Sequence, residues 1–236
     1  MFKVEISTQP DDETCGPTSL HAVYQYYGDA IPLEAVIHEV SRVRNGGTIA
    51  PLLGLHAIQR GYEAYIYVYN LDVFDPTWFY PKKLNSTELL KKLALQETYK
   101  NSPRFVEFSS AYRQFIEVGG EIRFQDLTVA LLKEYFNANI PILTGLSATY
   151  LYQSSREVET KDGLGIFDDL RGLPLGHFVI LCGHDENKRK IVVADPHREN
   201  PISHDNYYKV PVSRLINSIM LGVLTYDANL LIIKPK

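Results

Sequence analysis

The sequence predicts an α+β protein, and two patterns carry that expectation. Up to about Ala138, apolar side chains recur mostly at i, i+3, i+4 and i+7, the spacing of helices that bury one face. Beyond it, short apolar runs separated by polar turns read as strands of an antiparallel sheet. The chain has 236 residues, 45% of them hydrophobic and 22% charged, which is enough to bury a sizeable core. No linker, repeat or low-complexity segment divides it. Residues 1–236 are therefore expected to form one domain, with a helical insertion at about 74–120 and a long loop at about 150–176.

Phe2, Val4 and Ile6 alternate with polar residues and predict a short edge strand. The polar stretch Gln9–Thr14 then runs into a helix whose stripe is Leu20, Val23, Tyr24 and Tyr27. Pro17 suits a first helical turn and Gly28 a helix stop. A second helix is predicted over Pro32–Val43, followed by a turn at Asn45-Gly46-Gly47. Thr48 is placed to cap a third helix from about Ala50 to Arg60, in which His56 reads as a packed or surface histidine. Glu63–Asn70 alternates as a strand, with Tyr65, Tyr67 and Tyr69 on one face, expected to pack under another element. Phe74–Pro81 is aromatic and irregular. Helices follow over Thr87–Tyr99 and Pro103–Val118, and a further one reaches Asn137 or Ala138 with Asp126 as its cap. Asn139–Leu146 reads as a strand. Tyr150–Gly176, rich in glycine, reads as a long loop or loose hairpin. Phe178–Gly183, Ile191–Ala194 and Tyr207–Val210 read as strands and Val212–Met220 as a short helix. Val223–Ile233 reads as a last strand broken at Asp227-Ala228-Asn229.

A net charge of −4 and a pI near 6.0 give no footprint for nucleic acid or an anionic membrane. No run is long enough to span a bilayer, and the N-terminus lacks a signal peptide's apolar core. Two cysteines do not make a disulfide framework, so a cytoplasmic protein with reduced thiols is expected. His177, His184, Asp195, His197 and His204 cluster in sequence, but without an HExxH or a short-spaced ligand pair, so no metal and no cofactor is expected.

The chemistry is expected at Cys15. At a helix N-terminus the unpaired N–H groups and the positive end of the dipole favour a thiolate. If Phe178–Gly183 and Ile191–Ala194 form a hairpin with its turn centred on Glu186, facing positions sum to 372. His177 then lies opposite Asp195, Val179 opposite Val193 and Leu181 opposite Ile191. A carboxylate there orients the imidazole that takes the thiol's proton. Cys182, five residues from His177, points to the other face and reads as a buried apolar residue. Gln9, six residues before Cys15, has a side-chain amide that can join the Cys15 N–H as donor to an oxyanion.

Gln9 through Leu20 with Cys15-Gly16-Pro17, and Gly176-His177-Phe178-Val179 followed by Ala194-Asp195-Pro196, resemble the motifs of the papain-like cysteine peptidases. More closely, they resemble the double-glycine (bacteriocin-leader) peptidase family and its freestanding relatives. The stretch from Gly47-Thr48 to Gly61-Tyr62-Glu63-Ala64 looks like that family's second helical segment. The motif resemblance covers roughly two-thirds of the chain and leaves out Phe74–Gly120 and Tyr150–Gly176. It implies a papain-like fold, an N-terminal helical half packed on a C-terminal antiparallel sheet. It also implies hydrolysis of a peptide or amide bond, with Cys15 as nucleophile, His177 as base and acid, Asp195 as orienting residue and Gln9 as oxyanion donor. Acyl transfer to an amine, or peptide binding without turnover, are the alternatives. A peptide or small amide is the expected partner, and neither nucleic acid nor membrane.

Overall fold

Helix α1 (Cys15–Tyr26) is the axis of the molecule: every residue from Gly16 to Tyr24 is buried. Close approach requires glycine at position 16, where a Cβ would lie 2.4 Å from Thr48 Cγ2 and 3.4 Å from Phe178 Cδ2. The computed structural model describes residues 2–44, 46–159, 165–185 and 187–236.

The N-terminal segment enters no ladder, contrary to the predicted edge strand. The Tyr207 hydroxyl holds it instead, donating to the Val4 carbonyl and accepting from the Ile6 N–H. Helix α2 (Leu33–Glu39) is shorter than predicted, because Val40 turns extended and goes into the core. Thr48 is not a cap. Its hydroxyl donates to the Ser41 carbonyl, and helix α3 (Ala50–Gln59) starts from Ile49 with Pro51 in its first turn. Asn45, in the predicted turn, lies outside the described residues. His56 is packed, bonded to the Tyr24 hydroxyl and to Glu39. Strand β1 (Glu63–Val68) follows as predicted.

The predicted insertion holds a 3₁₀ turn at Pro76–Trp78 and helices α4 (Ser86–Tyr99) and α5 (Pro103–Glu117). Asn85 and Glu88 form a reciprocal capping box on α4, and Ser102 caps α5. Strand β2 (Glu121–Arg123) was not foreseen, being too short to show alternation. Thr128, not Asp126, caps α6 (Val129–Asn137). Strand β3 (Ile142–Ser147) leads into α7 (Ala148–Tyr152). The expected loop therefore begins as a helix and continues as an antiparallel arm, β4 (Glu157–Glu159) with β5 (Gly165–Phe167); residues 160–164 of that loop lie outside the described residues. Then come β6 (Gly176–Asp185), β7 (Lys190–Ala194), β8 (Tyr207–Pro211), α8 (Val212–Leu221) and β9 (Asn229–Lys234). The predicted last strand is corrected over its first part: a 3₁₀ turn covers Gly222–Thr225, and β9 starts only at Asn229.

The main sheet has the order β2-β1-β9-β3-β6-β7-β8, antiparallel except for β1 with β2. It thus takes in two strands from the N-terminal half as well as the C-terminal ones. Helices α1 to α5 cover the face that carries Ala64, Ile66, Phe178, Ile180 and Ile233. Helices α6 and α8 cover the other, with Tyr67, Val179, Leu181 and Ile232. The tyrosines of β1 pack as expected: Tyr67 bonds to Tyr135 of α6, and Arg123 lies 3.9 Å from the Tyr65 ring centre.

Candidate active site

Strands β6 and β7 pair in a register different from the predicted one. Leu181 faces Val193 and Ile180 faces Ala194, so facing positions sum to 374 rather than 372. A bulge between Leu181 and Gly183 adds one residue on β6 and shifts the pairing again toward the turn. Glu186, the predicted turn centre, lies outside the described residues. The register change is even, so side-chain parity survives it. His177 and Asp195 remain on the same face, meeting on a diagonal rather than directly across. Nε2 of His177 lies 2.8 Å from Oδ1 of Asp195, with both side chains buried. Cys182 keeps the opposite face, its thiol against the Val192 carbonyl, and burial pushes its pKa up to about 12.

Asp195 is completely buried yet its carboxylate is fully served. Oδ1 also accepts from the His197 N–H at 2.8 Å, and Oδ2 accepts from the hydroxyls of Tyr152 at 2.8 Å and Tyr208 at 2.6 Å. Burial alone would raise its pKa, but the His177 charge, these hydroxyl and N–H donors, and the His177 bond hold it below the usual range. Burial likewise pushes the His177 imidazole down. The Asp195 carboxylate, the hydrogen bond it accepts from the ring, and the neighbouring Cys15 thiol prevail, raising it to about 10. With Nε2 turned to the carboxylate, Nδ1 is the nitrogen left for the Cys15 thiol.

Cys15 is the first residue of α1 and half-buried. The loop before it is shaped by local bonds: Asp11 Oδ1 accepts from the Glu13 N–H, and the Thr14 hydroxyl donates to the Asp11 carbonyl. Gln9 donates its backbone N–H to the Pro196 carbonyl, which sets it beside the end of β7. Its Nε2 donates to the Asp11 carbonyl at 2.8 Å, and Oε1 is buried with no partner among the described residues. The structure thus brings Cys15, His177 and Asp195 together, with the Gln9 backbone bonded just past Asp195.

Tyr152, Tyr208 and His197 were not foreseen. Nothing singles out two tyrosines among sixteen; only the register of β8 on β7 and the end of α7 aim them at Asp195. The His197 ring lies 6.3 Å from that of His177, and burial and the His177 charge lower its pKa. Among the described residues no group of three His, Cys, Asp or Glu side chains is placed to hold a metal ion. No helix there is long and apolar enough to cross a membrane.

The fold is similar to that of a C39-like peptidase from Bacillus anthracis, at 15% identity and a TM-score of 0.52, covering 99% of this chain and 96% of that one. Two others lie at lower TM-scores. A double-glycine motif protease of an AMS/PCAT transporter, solved in complex with the leader peptide, has 18% identity and a TM-score of 0.46 over 99% and 93% of the two chains. Xylellain, a cysteine protease from Xylella fastidiosa, has 15% identity and a TM-score of 0.48 over 100% and 84%. No curated protein matches the chain. A family model matches residues 1–217, running through both segments that the motif resemblance left out, and the chain belongs to the family it describes, the Peptidase_C39 like family.

Proposed function

We propose that this protein hydrolyses a peptide bond, with Cys15 as nucleophile, His177 as general base and acid and Asp195 as the residue that orients the imidazole. The observation that carries this reading is the buried 2.8 Å bond from His177 to Asp195, on an imidazole whose pKa the neighbouring thiol at the start of α1 helps to raise. The Cys15 thiolate attacks the carbonyl carbon and the C=O electron pair moves to oxygen. The Cys15 N–H and the free N–H of the Gln9 amide stabilise that oxyanion. His177 gives its proton to the leaving amine, and an acyl-thioester forms. Water, deprotonated by His177, then releases the acid and restores the thiol. Membership of the Peptidase_C39 like family supports a peptide as substrate here. Two free cysteines favour a reducing compartment, the cytoplasm.

The test is the pH dependence of iodoacetamide labelling at Cys15, read by mass spectrometry, in wild type and His177→Ala. Wild-type labelling is expected to persist well below the ~8.5 of a free thiol, and the variant to lose this. Ordinary thiol titration in both proteins would sink the proposal. In a peptide-cleavage screen, Cys15→Ala is expected to abolish hydrolysis, and Gln9→Ala to lower kcat by about 10²–10³. Products carrying an added amine instead of water would replace hydrolysis with acyl transfer.

A further inference from the structure

The mechanism uses one of two buried carboxyls near His177; Asp227 is the other. It follows the 3₁₀ turn at Gly222–Thr225, and the preceding Tyr226 adopts a left-handed φ of 67°. That strained tyrosine is held from α5, by the Phe108 ring at 4.3 Å and the Arg104 guanidinium at 4.7 Å, and through its hydroxyl by Asp72. The turn presses Asp227 onto glycines of the two central strands. A Cβ on Gly176 would fall 2.1 Å from Oδ2 of Asp227, and one on Gly145 would fall 2.5 Å from its carbonyl oxygen.

Gly176 immediately precedes His177 and shares its face of β6 with Phe178. Phe178 in turn packs at Gly16, the residue after Cys15. Same-face neighbours on a strand are roughly 7 Å apart, so the carboxyl of Asp227 and the start of α1 lie side by side over one strand.

Asp227 differs from Asp195 in how it is served. It is 7% exposed, it lies by the Thr225 hydroxyl, which donates to the Gly222 carbonyl, and it makes no ion pair among the described residues. The ionisable groups that face it are His177 on β6 and Arg104 and Tyr112 on α5. Burial outweighs the Thr225 hydroxyl and the charges of His177 and Arg104, and holds the carboxyl up at about 7. A buried carboxylate that no cation touches directly gains most from a cation that arrives with the substrate.

We infer that Asp227 is the specificity carboxylate of a subsite beside Cys15 that takes a cationic group, an ammonium or guanidinium, on the acyl side of the substrate. This inference rests on the proposed peptidase reading for its substrate class.

The experiment needs no turnover. Four-residue alanine peptide amides carry lysine, norleucine or Nε-acetyl-lysine at each position in turn. Each is titrated for protection of Cys15 against iodoacetamide in the whole protein. At one position lysine is expected to half-protect at a concentration at least tenfold below both neutral analogues. In Asp227→Asn, checked for folding by its thermal melt, the three are expected to fall within about twofold of one another. Equal protection by all three in wild type, no protection by any peptide, or a lysine advantage that survives in Asp227→Asn overturns the inference. The wild-type comparison decides it even if the variant fails to fold. Cleavage of the peptides is scored separately: protection without cleavage sinks the hydrolytic reading and leaves the subsite standing.

Discussion

Asp195 takes four hydrogen bonds while completely buried, and the energetics of the site follow from that. Hydrogen bonds to a buried charge contribute roughly 1.5–3 kcal/mol each, so Tyr208→Phe is expected to destabilise the fold by about that amount in urea unfolding. Tyr152→Phe should cost similarly, and the double variant, which leaves Oδ2 without a donor, more than either. Both should also weaken the labelling of Cys15 at low pH, because a looser Asp195 orients His177 less firmly. The pH dependence of stability has a defined sign. Pairing of His177 stabilises fully below its unfolded value of 6.5 and is lost as pH rises through about 10. Pairing of Asp195 stabilises above 3.8 and is lost as pH falls through its lowered folded value. Asp227 acts the other way, since its folded value is raised: it costs stability as pH rises from 3.8 through about 7. Unfolding titrations should therefore show Asp227→Asn gaining on wild type across that interval and holding the gain above it. A constant difference would mean that Asp227 does not titrate there.

At the scale of elements, α1 is placed by contact rather than by capping, since its N-cap Thr14 makes no side-chain bond to the helix. Gly16→Ala is expected to cost about 1–3 kcal/mol, because Thr48 is fixed by its bond to the Ser41 carbonyl and cannot swing away. Adding Thr48→Ser removes the clashing methyl and keeps that hydroxyl, so the pair should recover much of the loss. No recovery would place the strain at Leu53 or Phe178 instead. Between β1 and β2, Asn85→Ala removes the capping box of α4 and should cost about 1 kcal/mol in thermal melts, with Cys15 labelling unchanged. The bulge at Cys182 in β6 is the element-scale device that the hairpin reading lacked. On the turn side of it facing positions sum to 375, an odd slip from the predicted 372; the bulge makes the slip even, and so leaves His177 and Asp195 on one face.

Across the whole molecule, chain ends far apart in sequence converge on the site. The Tyr207 hydroxyl on β8 closes the N-terminal segment onto the sheet, and Tyr207→Phe should strand the Ile6 N–H and Val4 carbonyl. Faster hydrogen exchange at Ile6, with a loss of roughly 1–2 kcal/mol, is the expected result. What the sequence by itself determined was local or periodic: the helix at Cys15-Gly16-Pro17, most helices and strands, and the motifs that resemble the peptidase family. Those depend on neighbours within a few residues. The tertiary structure alone decided which hydroxyls serve Asp195, where Gln9 bonds, that β2 joins the sheet, and that Asp227 lies beside His177. Each depends on groups tens to hundreds of residues apart, such as Tyr152 with Asp195 or Gly176 with Asp227, whose meeting is set by strand order and register. Side-chain period in a strand says which face a residue takes, and only the pairing of strands says what it meets there.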